Sequence, residues 1–112
     1  MIGSGSALLD IAKAMAGHAE RAQAVATRNL AHADTPGYKA EATESFAAAF
    51  AAGRHEPNVV LDAAAAADPN GNSVSVEDQV FALSEARGQH DLALALWGQT
   101  MGFYRTVLGR GR

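Results

Sequence analysis

The side chains best suited to metal binding or proton transfer in this chain are four histidines, His18, His32, His55 and His90. Metal sites on helices need ligands that converge on one face. None of the four stands at a converging spacing from another histidine or from a carboxylate. Asp34, Glu41 and Glu44 are close in sequence, but no nucleophile stands beside them to be activated. Cysteine is absent, which removes thiol nucleophiles, thiolate metal sites and a disulfide framework. No phosphate-cradling loop or dinucleotide fingerprint occurs, and Gly3 and Gly5 are expected in a loose N-terminal tail. The residues therefore predict a protein that is not an enzyme, with no catalytic residue, cofactor or metal. His90 is expected as a packed or hydrogen-bonded residue that adds pH sensitivity at most.

What is well placed instead is apolar surface on helices. Residues 6–33 read as one helix, with Leu8, Ala12, Met15, Ala19, Ala22, Ala26 and Leu30 at alternating steps of four and three, widened by Leu9, Ile11 and Val25. Residues 75–108 read as a longer helix. Ser75 with Asp78 three positions on resembles a capping box, and Gly109 is the expected C-cap. Its stripe runs Val76, Val80, Leu83, Arg87, His90, Leu94, Trp97, Met101, Tyr104, Leu108, again in steps of four and three. Between the helices lies a turn- and loop-rich segment, 34–74. It holds one candidate short helix at 44–52, with Phe46 and Phe50 on one face, and strong turn chemistry in "DPNGNS". Irregular structure is expected around residues 53–74, where "NVVLDAAAAA" is open to strand, short helix or neither. The predicted fold is all-α: a single domain over 1–112, with two long terminal helices forming an antiparallel coiled-coil hairpin around an irregular middle.

Composition narrows the partners. Of 112 residues 26 are alanine, so a hydrophobic fraction of 48% buries little area per residue and suits close helix packing better than a globular core. Net charge is −3 with an isoelectric point near 5.7, which speaks against nucleic acid. No stretch approaches the roughly 18 apolar residues of a membrane span, and the first 20 residues lack a cleavable signal pattern, so no membrane insertion is expected. Gly88, Gly98 and Gly102 inside the second helix cost about 1 kcal/mol each relative to alanine. Phe81, Leu92, Leu96, Phe103 and Val107 lie off its main stripe. One partner helix cannot bury all of these, so the helices are expected to complete their packing against other copies or other proteins. Leu8, Ile11, Met15, Val25, Leu30, Val80, Leu83, Leu94, Trp97, Met101, Tyr104 and Leu108 form the expected helix-packing set.

The first helix stops sharply at "NLAHADTPGYKA". Pro36 disfavours helix at Thr35 and removes a donor, and Pro36-Gly37 fits the centre of a type II turn. Asp34 and Thr35 are placed to bond local backbone groups. Tyr38 is expected to pack back on a neighbour with its hydroxyl in water, while Asn29 is either bonded to a neighbouring backbone or plainly exposed.

The longer pattern "ATRNLAHADTPGYKA" resembles the signature of the bacterial flagellar rod, hook and related axial proteins. Asn29, Leu30, Ala31, Thr35, Pro36, Gly37, Tyr38 and Lys39 match it. His32 stands where the family usually has Asn, a departure. The C-terminal stretch also resembles the family's: Asn72-x-Val74, an acidic helix start, then a long heptad helix to the end. Near His90 the usual Tyr is replaced. With under 40 residues between the helices, the chain is most similar to the proximal rod members. The resemblance implies a structural subunit of the basal-body rod in the periplasm, exported by the flagellar type III apparatus without signal cleavage. It implies polymerisation through the terminal helices into a higher-order tube with other rod subunits and basal-body components. Read without the resemblance, the same stripes also fit a soluble helical adaptor or chaperone-like module for one protein partner.

Overall fold

A computed structural model describes residues 2–110, with side-chain surroundings given for 6–109. The order is α1 (Ile2–Ala31), β1 (Glu41–Thr43), α2 (Phe46–Ala51), β2 (Val59–Leu61) and α3 (Val76–Arg110). The molecule is a rod of 68 × 24 × 15 Å, set by α3, whose 35 residues span about 52 Å. The stretch containing Gly3 and Gly5 belongs to α1 instead of a loose tail, because the helix begins at Ile2. Gly109 lies within α3 and does not cap it. The fold is mostly helical, with the two long helices packed together, and adds a small antiparallel pair of β1 and β2.

α1 packs along α3 in the opposite direction. The cross-links give the sense: Asn29 meets Gln79, and His18 and the Met15 carbonyl meet Gln89. On α1 the buried positions Ala12, Ala19 and Ala26 recur every seven residues, as the sequence stripe predicts. On α3 the buried heptad is Gln79, Ala86, Ala93 and Thr100. The seam between the two helices is thus built from small and polar side chains.

The expected α3 stripe lies one residue further round the helix. Val80, Leu94 and Leu108 are 53%, 56% and 71% exposed, and Val76 and Trp97 are open as well. Leu83, Met101 and Tyr104 are half-buried. Leu8 of α1 is also exposed. The apolar periodicity is real, but the hairpin uses only part of it, covering Leu83, His90, Met101 and Tyr104 by half. Alanines let the helix axes approach closely, and a close approach selects the face with the smallest side chains.

The middle is more ordered than the sequence predicts. Ser45 caps α2 through its Oγ to the Ala48 N–H at 3.1 Å. Gly53, at φ +76°, ends it, with Arg54 N–H to Ala49 O and Gly53 N–H to Phe50 O, the paired bonds of a Schellman motif. The β ladder pairs Glu41 with Leu61 and Thr43 with Val59. Glu44 N–H to Asn58 O and Asp62 N–H to Ala40 O extend it at each end. Strand therefore replaces irregular chain at 59–61.

Candidate functional site

Two features stand out: a closed corner where the chain leaves α1, and an open flank on α3. The corner centres on Asn29, whose side chain has no exposed surface. Its Nδ2 donates to the Glu41 carbonyl at 2.8 Å and to Gln79 Oε1 at 2.9 Å. Its Oδ1 accepts from the Glu41 N–H at 3.0 Å and from the Tyr38 hydroxyl at 3.2 Å. One amide so joins α1, the corner, β1 and α3, with every donor and acceptor used. Its backbone bond is to its own chain, which removes the exposed alternative. The Tyr38 hydroxyl is committed to Asn29 instead of water.

His32 has a role in the same corner. Its ring stacks on Tyr38, with centroids 4.5 Å apart and planes 10° from parallel, and its Nδ1 meets Thr35 Oγ1 at 3.1 Å. The turn over Thr35–Tyr38 closes through Tyr38 N–H to Thr35 O, with Gly37 at φ +77°, as a type II turn requires. A second turn docks on it. Gly71, at φ +85°, closes onto Asp68 O, and a Cβ on Gly71 would lie 3.2 Å from Gly37 Cα. Gly37 N–H donates to Asn70 O, and Lys39 Nζ reaches Gly71 O at 2.9 Å.

Asn72, buried, then caps the end of α1: its Nδ2 donates to the carbonyls of His32 and Thr35 at 2.9 and 2.7 Å. Ser73 Oγ accepts from the Ala40 N–H, and Ser73 N–H donates to Tyr38 O. The two sequence signatures, Thr35-Pro36-Gly37-Tyr38 and Asn72-x-Val74, are one structure. Asn72, Ser73 and Gln79 were not singled out as site residues from the sequence. Asn72 carries a signal in the Asn72-x-Val74 motif, while Ser73 and Gln79, the latter off the apolar stripe, carry none.

A second junction holds the middle segment to the hairpin. The Arg54 guanidinium grips the Glu44 carboxylate through Nη2 at 2.6 and 2.7 Å, and the Asn58 N–H adds a bond at 2.8 Å. Arg54 first, and then Asn58, hold the Glu44 carboxyl below the usual carboxylate range. His18, buried against Phe46, donates from Nε2 to the Glu44 carbonyl at 2.8 Å, and Gln89 Nε2 lies 3.3 Å from its Nδ1. His90 faces Glu20 at 3.8 Å, and His55 faces Asp10 at 3.0 Å. Among the described residues no group of three His, Asp or Glu is placed to hold a metal. None of their helices is long and apolar enough to cross a membrane.

The open flank carries part of the packing set. Of the expected residues, Val25 is buried, while Ile11, Met15 and Leu30 are half-buried on α1. The α3 members follow the exposed and half-buried pattern above. Phe81, Leu92, Phe103 and Val107 are exposed on other sides of α3. The middle segment does not cover the stripe: Ala42 and Thr43 of β1 sit beside Ala82 and Gln89, across the seam from it. No protein-family model matches this chain, and no curated protein matches it.

Proposed function

We propose that this chain is a structural subunit of the bacterial flagellar basal-body rod, of the proximal kind and nearest to FlgB. In this reading it leaves the cell unfolded or partly folded through the type III apparatus and orders as it packs into the axial tube. The observation that carries the reading is the heptad of large apolar side chains left outside a hairpin already closed by small ones. A single chain gains little from such a stripe. Burying a Leu, Met or Trp stabilises by about 1.5–3 kcal/mol per side chain, and that gain waits for a neighbouring helix. The knit of the two signature motifs around Asn29 supports it further, because it fixes where the middle segment leaves the hairpin. The short middle, held by Glu44 and Arg54, then bridges to adjacent subunits or the surrounding ring.

The test is incorporation. In the source organism, Trp97→Ala should be exported normally yet fail to appear in purified basal bodies. Normal rod formation by that variant would count against the reading. A defined complex with one non-flagellar protein would favour an adaptor instead.

A further inference from the structure

The α3 stripe is self-complementary. With Val80, Arg87, Leu94, Met101 and Leu108 as heptad position a and Val76, Leu83, His90, Trp97 and Tyr104 as d, its steps of four and three read the same from either end. We propose that this stripe is a homodimer surface on which α3 of a second copy packs antiparallel. In that register Val76 meets Leu108, Val80 meets Tyr104, Leu83 meets Met101, His90 meets Leu94 and Arg87 meets Trp97, each pair twice.

Orientation is set by the polar members. A parallel pair would stack Arg87 on its own copy, and likewise His90, inside the seam. The antiparallel pair lays the Arg87 guanidinium over the Trp97 indole, a cation–π contact. Arg87 is free to do so: its side chain is 77% exposed, and its ion pair, with Asp91, is 3.9 Å long. Glu77 and Arg105 occupy the same edge of the stripe and face each other across the antiparallel pair, two opposite-charge contacts per dimer, while Asp91 on that edge meets its own copy with an Arg87 beside each. On the stripe's other edge lies the α1 seam, so α1 is already in place and does not need to move. A stripe about 50 Å long and about 10 Å wide covers about 500 Å² per copy. The total of about 1,000 Å² is the lower end of specific interfaces, which fits a reversible dimer. The interface stands on the stripe; only one consequence rests on the rod reading. A dimer occupies the surface that rod neighbours need, so dimerisation and rod packing exclude each other.

The chain has no cysteine, so cross-linking reports orientation cleanly. A mixture of purified Leu83→Cys and Met101→Cys chains, treated with a short bifunctional maleimide, should give dimers, and each variant alone should give few. Sedimentation of the unmodified chain should show a closed monomer–dimer equilibrium in the micromolar range. Trp97→Ala should weaken it about tenfold with helicity retained. A monomer at hundreds of micromolar, open-ended growth, or efficient cross-linking of Leu83→Cys to itself would overturn the proposal. So would an unchanged dimer affinity in Trp97→Ala. Basal-body incorporation is scored separately, so either proposal can fail alone.

Discussion

At the residue scale the corner depends on one amide. Asn29→Ala leaves Gln79 Oε1, both backbone groups of Glu41 and the Tyr38 hydroxyl without their partner. Buried groups left unpaired cost about 1–3 kcal/mol each, and some of these reach water, so the variant should lose about 3 kcal/mol in a urea melt. Asn29→Asp keeps the shape but turns Nδ2 into an acceptor facing two oxygens, so it should be no better near neutral pH. Gly37→Val meets no steric obstacle, yet φ +77° is closed to a β-branched residue. It should destabilise the corner by about 1–3 kcal/mol and block incorporation into basal bodies. The glycine, the proline and the turn type were legible in the sequence. The fourfold use of Asn29 was not, because all four of its contacts lie beyond α1 and the partner on α3 is 50 residues away.

At the scale of elements, the long helices were legible because their apolar periods run over many turns. The α3 stripe was legible as an apolar period, but the face that α1 takes beside it was not. Periodicity marks which residues are apolar, whereas the close approach of two alanine-rich helices selects the smallest face. Strand was open at "NVVLD", but β1 and its pairing escaped because each strand is three residues long, and the ladder forms between segments separated by α2. Two measurements belong at this scale. A Cβ at Gly88 meets no neighbour, so Gly88→Ala should stabilise α3 by about 1 kcal/mol in thermal melts. The Glu44 carboxyl titrates lower in the folded chain than in the unfolded one. Its contribution is therefore full above the ordinary carboxylate range and fades as pH falls through the folded value. Glu44→Gln should be less stable than the unmodified chain at neutral pH, and the gap should close as pH falls below the ordinary carboxylate range.

At the scale of the whole molecule, the polar corner and the alanine seam close the hairpin, and the large side chains remain outside it. That division separates folding from association. Substitutions in the corner should change stability first, and substitutions on the stripe should change association first. Trp97, the chain's one tryptophan, sits on the stripe, so its emission reports the central claim directly. The measurement is the Trp97 emission maximum across a dilution series. The account predicts emission of a partly exposed indole at high dilution, moving to shorter wavelength as concentration rises through the micromolar range. Short-wavelength emission that holds at every dilution would mean the stripe is buried within a single chain, and would contradict it.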